Sequence, residues 1–159
     1  MSEEILNRAG EAFSPEDESQ ILDVIGRWLE RDVVDKVMAL EAADEYPHEM
    51  VERMKEFGLF GATIAQEYGG LGLPAATYAK IVTTISEVWM SLTGIFNSHL
   101  IMAAAVERFG TEEQKRRFLP RFATGELRGA LALTEPNCGT DLQAIRTKAV
   151  RDGDDYVIN

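Results

Sequence analysis

Apolar residues that recur at helical spacing constrain the fold of this chain more than any other feature of its sequence. The first run follows Ser14-Pro15-Glu16-Asp17, which supplies a capping hydroxyl, a proline at the first helical position and acids in the first turn. Seven apolar residues then share one helical face: Ile21, Ile25, Trp28, Leu29, Val33, Val37 and Leu40. This stripe predicts one long amphipathic helix.

Further helices are predicted from the same periodicity. A second helix runs from near Pro47 to Gly58 and has one apolar face: Met50, Met54 and Phe57. The following loop, EYGGLGLP, places three glycines in four positions. This indicates backbone conformations that are unfavourable for residues with side chains. A third helix begins after Pro74, with Tyr78, Ile81, Val82, Ile85, Val88 and Trp89 facing inward.

That third helix is predicted to break near Ser91. The segment from Ile95 to Phe109 is then nearly apolar all round, which is typical of the central helix of a bundle. After Gly110, the capping box Thr111-Glu112-Glu113-Gln114 begins a last helix, which Pro120 is expected to kink or end.

The pattern changes at Arg128. The stretch GALAL is small and apolar, and IRTKAVRDGDDYVIN alternates around Asp152-Gly153, which predicts a hairpin. About three strands are expected here, which is marginal for an independent sheet. The predicted fold is mainly α, with an all-α helical bundle over residues 1–127 and a truncated β region over 128–159 that we interpret as the start of a further domain.

Charge and composition narrow the classes of partner. Asp and Glu outnumber Lys and Arg 27 to 16, a formal net charge of −11, which disfavours nucleic acid and anionic lipid as partners. Polar residues interrupt LTGIFNSHLIMAAAV, so it is interpreted as a buried helix and not a membrane span. The single cysteine excludes an internal disulfide, and residues 1–10 lack a secretory signal. We expect a cytoplasmic protein and predict no metal site.

Three stretches follow one another along the chain and are informative in combination. They are EFGLFGATIAQEYGGLGLP, then FGTEEQKRRFLPRFATGE, then LALTEPNCGTD followed by IRTKAVRDGDDYVIN. Together they resemble the amino-terminal part of the acyl-CoA dehydrogenases, flavoenzymes that desaturate acyl-CoA thioesters. The resemblance extends from about Met54 to Asn159 and is generic before that. It implies a helical first domain, a β-barrel middle domain that begins at residue 128, and a helical last domain, with FAD between the middle and last domains.

The resemblance also implies roles for single residues. The backbone at Leu131 and Leu133, in the first barrel strand, would face the flavin ring, and Thr134 would hydrogen-bond its edge. Gly139 and Thr140 would meet the pyrophosphate, and the Thr140 hydroxyl would also lie near the acyl-CoA. The chemistry agrees, because a diphosphate needs closely approaching amides and the flavin ring needs an apolar wall with a few fixed donors.

Two positions depart from the usual pattern of the family. Thr140 replaces a serine and keeps the hydroxyl, whereas Cys138 replaces a small residue and adds bulk at a tight turn. The neighbouring carboxylate, Glu135, is not assigned as a catalytic base. Taken alone, the TEPNCGTD stretch is equally compatible with an ordinary strand-to-turn connection.

A second candidate set lies on the apolar third helix. Thr93, Asn97 and Ile101 are four residues apart on one face, and the matching face in the family lines the acyl-chain pocket. They are therefore predicted to shape the substrate site. His99 interrupts the same helix, and the favoured interpretation is a polar group satisfied inside the bundle.

By resemblance, a glutamate removes the α-proton of the thioester, the β-hydrogen leaves as hydride to the flavin, and an electron-transfer flavoprotein accepts the electrons. That glutamate lies beyond the family positions matched here, so no catalytic residue is assigned and the segment alone is expected to be inactive. A homotetramer is expected of the complete enzyme. The alternative is a non-catalytic acidic helical interaction module with a degenerate flavin-binding segment.

Overall fold

The computed structural model describes residues 13–159, and most of them are helical. The α-helices are α1 (Pro15–Trp28), α2 (Val37–Ala43), α3 (His48–Glu56), α4 (Ala75–Phe109) and α5 (Glu112–Ala123). The strands β1 (Ala149–Asp152) and β2 (Asp155–Ile158) follow. The mainly α fold class with a small sheet at its end is thus confirmed. The prediction about a secretory signal concerns residues outside the described range.

The capped start of α1 is confirmed, but the long helix behind it is irregular. Ser14 Oγ accepts the Asp17 amide at 3.1 Å, and the Asp17 carboxylate accepts the Ser14 amide at 3.0 Å. After Trp28 the chain widens into a π-helical turn, Leu29–Val33, and tightens into a 3₁₀ turn, Val34–Lys36, before α2. Both turns keep the chain helical, and the periodicity of apolar residues does not distinguish them from a regular helix.

Glycines end α3 and shape the loop behind it, as predicted. Gly58 stops the helix with φ of 72°. At Gly70 a Cβ atom would lie 2.1 Å from the Ile64 carbonyl oxygen, so no side chain fits there. The amide of Leu73 donates to the Ala62 carbonyl at 2.8 Å, which returns the loop to the core.

A sharp bend at Trp89 folds α4 back on itself. Trp89 has φ of −154° and ψ of 101°, and the Tyr78 hydroxyl donates to Asn97 Oδ1 at 2.7 Å across a separation of 19 residues. A straight helix would place those residues about 28 Å apart. The two halves of α4 therefore lie side by side, and the predicted break near Ser91 falls at Trp89.

Helix α4 is central to one continuous hydrophobic core. Its length and composition would suffice for a membrane span, as they would for the core helix of many globular proteins. Here its inner face is buried against α1, α5 and the turn Leu59–Gly61. The fully buried side chains of the core include Ile21, Met54, Phe60, Ile85, Phe96 and Leu119. The Trp28 and Phe57 rings meet edge to face at 5.4 Å.

Residues 95–109, predicted from their apolar composition to form the central helix of the bundle, are buried on their inner side only. Phe96, His99 and Ala103 are buried, whereas Ile101 is 48% exposed and Phe109 is 78% exposed. An apolar composition shows that a helix face can be buried. It does not show which part of the structure packs against that face. Within residues 13–159 the rest of the molecule covers only the inner side of this segment.

Helix α5 continues through Pro120 to Ala123 instead of ending there. Proline removes one helical hydrogen bond, which costs stability in a helix interior. Burial of Leu119, Phe122 and Ala123 against the core offsets that cost. The Thr111–Gln114 capping box is present, with the Gln114 amide donating to Thr111 Oγ1 at 3.2 Å.

The predicted hairpin is confirmed, but the predicted first strand is absent. The pairs run from Ala149–Ile158 to Asp152–Asp155, and Gly153, with φ of 63°, begins the two-residue turn. The stretch around Leu131 and Leu133 joins no ladder in residues 13–159. A strand requires a partner that local sequence does not supply, and the described residues offer none beside this stretch.

Candidate functional site

The segment that follows the helical bundle is tied to it at three successive residues. The Leu127 amide donates to the Arg121 carbonyl at 3.1 Å. The Arg128 guanidinium donates to the Tyr46 hydroxyl at 2.6 Å, and the Gly129 amide donates to His99 Nδ1 at 3.2 Å. We refer to residues 129–147 as the exit segment.

A closed turn lies in the middle of the exit segment. The Glu135 amide donates to the Cys138 carbonyl at 2.9 Å, and the Cys138 amide returns to the Glu135 carbonyl at 3.2 Å. The Cys138 side chain is 8% exposed, so the turn accommodates its extra bulk by burying it. The reciprocal pair fixes the chain direction on both sides of Pro136-Asn137.

The Glu135 carboxylate holds the far end of the exit segment. It accepts the amide of Arg146 at 2.9 Å and that of Thr147 at 2.8 Å. Hydrogen bonding from the Thr147 side chain, followed by these two amides, lowers the pKa of Glu135 below its ordinary value. A carboxylate held in its charged form by scaffold amides is a structural tie, which agrees with leaving it out of the catalytic residues.

Between these ties, Gly139 and Thr140 present groups that the chain itself does not use. Among residues 13–159, the amides of Gly139 and Thr140 find no hydrogen-bond acceptor. A Cβ atom built at Gly139 would meet no heavy atom within 4 Å in the described part of the chain, its two neighbouring residues apart. Behind them, Asp141 Oδ1 accepts the Gln143 amide at 3.2 Å and fixes the next turn. The free amides stand between two fixed turns, which suits an anionic ligand.

An apolar surface precedes this turn. Leu131 is 45% exposed and Leu133 is 40% exposed, and Thr134 beside them is also exposed. Apolar surface, a hydroxyl donor and unused amides within ten residues are the groups that an isoalloxazine ring and a diphosphate require. The five predicted cofactor residues thus lie together on one exposed stretch, and their chemistry fits FAD.

The three residues predicted to shape the substrate site differ in their surroundings. Thr93 is 5% exposed, and its hydroxyl donates to the Met90 carbonyl at 2.7 Å inside the bend of α4. Asn97 and Ile101 are exposed on the outer side of the helix. The bend therefore uses Thr93 for its own closure, and the two later residues are the accessible ones.

Sequence reasoning missed the role of Tyr78, which it assigned to the core. Its ring packs edge to face on Phe96 at 6.3 Å, and its hydroxyl fixes Asn97 Oδ1, so the Asn97 amide nitrogen is left as the outward donor. Burial raises the pKa of the Tyr78 phenol. The hydroxyl on an otherwise apolar face was the only sequence signal, and its partner depends on the bend.

His99 is a buried polar group with every nitrogen satisfied, as predicted. The side chain is 1% exposed, and Nε2 lies 3.1 Å from the Phe60 carbonyl and 3.0 Å from the Phe122 carbonyl. Two carbonyls require a donor, so Nε2 carries the proton and Nδ1 accepts the Gly129 amide. Burial lowers the pKa of His99, against the raising effect of those two carbonyls.

A cleft of about 380 Å³ lies between α2 and the bend of α4. Three of the residues that line it are acidic: Glu41, Asp44 and Glu45. Such a cleft disfavours a phosphate-bearing ligand. None of the eight predicted site residues lines it.

Comparison with known proteins identifies relatives along nearly the whole chain. The family model described as the acyl-CoA dehydrogenase N-terminal domain matches residues 15–126. The short-chain specific acyl-CoA dehydrogenase of Clostridium acetobutylicum is 36% identical over 140 residues, which cover 87% of this chain and 37% of the relative.

Solved structures give the same result. A chain from the structure of the electron transferring flavoprotein of Acidaminococcus fermentans has a TM-score of 0.84 and 33% identity, covering 94% of this chain and 40% of that one. The glutaryl-CoA dehydrogenase from Mycobacterium smegmatis in complex with FADH2 has a TM-score of 0.77 and 28% identity. The match covers 92% of this chain and 38% of the dehydrogenase chain.

The chain spans 37 to 40% of the length of these relatives. The family-model match extends from the start of α1 to beyond the end of α5, and the structural likeness extends over more than nine-tenths of the chain. These proteins therefore share a common origin with the helical domain, with its loop EYGGLGLP and with the exit segment. The chain belongs to the acyl-CoA dehydrogenase family.

Proposed function

We propose that the chain is the front portion of an FAD-dependent acyl-CoA dehydrogenase that desaturates an acyl-CoA thioester between its α and β carbons. The observation that carries the proposal is the exit segment, where exposed leucines, Thr134 and the unused amides of Gly139 and Thr140 stand between fixed turns. Family membership supports the oxidoreductase class, and FADH2 in the glutaryl-CoA dehydrogenase structure supports the cofactor.

Each residue of the exit segment has a distinct task in this proposal. Leu131 and Leu133 exclude water from one side of the flavin ring, and Thr134 donates to its edge. The amides of Gly139 and Thr140 donate to the diphosphate, and the Thr140 hydroxyl serves the acyl-CoA as well. FAD, when bound, supplies the hydride acceptor. Preorganised donors of this kind need no rearrangement when the ligand arrives.

The catalytic base is not assigned to any residue of this chain. Glu135 directly follows Thr134 of the proposed flavin contacts, and both of its carboxylate oxygens accept scaffold amides. We therefore propose that the 159-residue segment alone is inactive and that a longer enzyme supplies the base. Its relatives, of which this chain spans about two-fifths, support that proposal.

Substrate and partners follow from the same family relationship. Asn97 and Ile101, with Thr93 behind them, are proposed to shape the acyl-chain site. The electron transferring flavoprotein named for one matched structure supports a protein of that kind as electron acceptor. A tetramer and a cytoplasmic location remain predictions. The alternative, a non-catalytic helical interaction module, is not favoured, because the family model matches residues 15–126 and named acyl-CoA dehydrogenases match most of the chain.

The proposal is tested with the longest reading frame that contains this chain. We expect the purified protein to be yellow, to retain flavin through gel filtration, and to reduce an artificial electron acceptor with one or more acyl-CoA thioesters. The 159-residue segment should retain little flavin because it supplies only one wall of the pocket. A longer protein that binds no flavin, or a segment that binds it stoichiometrically, would contradict the proposal.

A further inference from the structure

His99 joins four parts of the molecule at one buried point. It belongs to α4, its Nε2 donates to the carbonyls of Phe60 and Phe122, and its Nδ1 accepts the Gly129 amide. Phe60 lies in the turn after α3, and Phe122 lies in the last turn of α5. Within the described residues 13–159, the imidazole is therefore the one side chain that bonds both the helical core and the first residue of the exit segment.

The two nitrogens serve different parts of the structure. Nε2 donates only to carbonyls of the helical domain, so removal of these hydrogen bonds would lower the stability of that domain. Nδ1 bonds only Gly129, which lies two residues before Leu131. The Nε2 contacts are buried and the Nδ1 contact is partly buried, and in such surroundings a polar group left unsatisfied is costly.

Close packing at Gly129 strengthens the positional role of the bond. A Cβ atom there would lie 2.5 Å from Met102 Cγ, so the backbone of the exit segment rests directly on α4. Met102 is three residues after His99, on the same side of the helix. The hydrogen bond and the contact together set where the exit segment leaves the helical domain.

We infer that His99 is a positioning residue for the candidate flavin wall, acting through Nδ1 on Gly129, and that this role is separable from its support of the helical core through Nε2. The inference rests on the proposed function, since it assigns the exit segment to the flavin. A displaced Gly129 shifts Leu131 to Thr140 relative to α4, and a wall that must meet a ring loses contact when it moves by a fraction of an ångström.

Two substitutions separate the nitrogens. The amide of glutamine in His99→Gln reaches the position of Nε2 and retains a donor for the carbonyls, but it leaves Gly129 without an acceptor. The shorter asparagine in His99→Asn places its amide oxygen near Nδ1 and leaves the two carbonyls without a donor. Tyr46→Phe is the matched control, because it removes only the exposed Arg128 contact next to Gly129.

Flavin affinity and thermal stability are measured for these variants in the complete flavoprotein. We expect His99→Gln to raise the flavin dissociation constant about fivefold or more, from the loss of the partly buried hydrogen bond between Gly129 and Nδ1. His99→Asn and Tyr46→Phe should leave it within about twofold, while His99→Asn lowers the melting temperature the most. If both His99 variants weaken flavin binding in proportion to lost stability, or if Tyr46→Phe matches His99→Gln, the positioning role is wrong.

A measurement on the unmodified 159-residue chain keeps the inference testable if a variant does not fold. Nitrogen-15 NMR should show His99 protonated at Nε2 and unprotonated at Nδ1, with the Gly129 amide protected from hydrogen exchange. A proton on Nδ1 or rapid exchange at Gly129 would overturn the inference. Failure of the wild-type flavoprotein to bind flavin would instead overturn the proposed function, and the NMR result would still stand.

Discussion

The helical domain and the exit segment with its hairpin are stabilised in different ways. The helical part buries a continuous cluster that includes Trp28, Phe60 and Phe96. Beyond residue 125, Cys138 is the only buried residue in the described range, and every residue of β1 and β2 is exposed. One region closes its own core, whereas the other is shaped by local hydrogen bonds. The exit segment and its hairpin are thus held by their own hydrogen bonds, and their surfaces are available to a partner or ligand.

The largest expected effect tests whether the core resides in the helical domain alone. Phe60 is completely buried, so Phe60→Ala should lower the free energy of unfolding by about 3–5 kcal/mol. Tyr156→Ala in β2, where the tyrosine is 64% exposed, should change it by less than about 0.5 kcal/mol. Urea denaturation of both variants measures this contrast. A comparable loss at Tyr156 would show that the hairpin contributes to a shared core.

A glycine substitution sharpens the comparison at the level of ligand binding. Since a Cβ at Gly139 has no heavy atom of a non-neighbouring residue within 4 Å among residues 13–159, Gly139→Ala should leave the unfolding free energy unchanged within about 0.5 kcal/mol. In the complete flavoprotein it should raise the flavin dissociation constant about tenfold, because the methyl group occupies the space proposed for the diphosphate. Flavin titration checks this, and an unchanged affinity would remove Gly139 from the site.

Acidification should weaken the tie between the two regions. Burial holds the folded-state pKa of His99 below its ordinary value of 6.5, so the unfolded chain takes up the proton first as pH falls. The contribution of neutral His99 to the free energy of unfolding is complete above about pH 6.5. It declines as the pH falls toward the lower pKa of His99 in the folded chain. Arg128 nearby also opposes the charge.

Unfolding free energies between pH 7.5 and about 5 measure this effect. The wild-type chain should lose stability over that range, and His99→Phe, which cannot titrate, should show a smaller slope. Carboxyl groups such as Glu112, whose pKa is lowered by Lys115, contribute only at lower pH. Equal slopes for the two proteins would show that His99 is protonated equally well when folded.

The smallest effect is confined to the exit segment. In Glu135→Gln one of the two acceptor oxygens becomes an amide donor, so one of the amides at Arg146 and Thr147 loses its partner. Hydrogen exchange at these amides should accelerate several-fold, while the melting temperature of the helical domain stays constant. Glu113→Gln on α5 is the control and should change neither. A fall in melting temperature with Glu135→Gln would show that the segment supports the core.

The helices were predictable because their signals are local. The caps at Ser14 and Thr111 and the spacing of buried residues lie within a few positions of each other, and the structure reproduces them. The bend was placed near Ser91 and lies at Trp89, where Glu41 accepts the indole N–H from another helix. Such a long-range contact leaves no trace in the local sequence.

The candidate site was predictable in chemistry but not in contacts. The resemblance to the acyl-CoA dehydrogenases implied the roles of Leu131, Thr134 and Gly139, and the chemistry of these residues agrees with those roles. The strand expected at Leu131 depends on pairing with a distant segment, and the pairing of Tyr78 with Asn97 exists only because α4 folds back. The exposure of Ile101 is equally non-local, as it depends on what lies opposite.

The central claim is that the exit segment forms one wall of a flavin pocket, and a crystal structure of the complete protein with FAD tests it most directly. We predict diphosphate oxygens within about 3 Å of the Gly139 and Thr140 amides, and the flavin ring against Leu131 and Leu133. An exit segment that faces solvent while FAD is bound elsewhere would contradict the account.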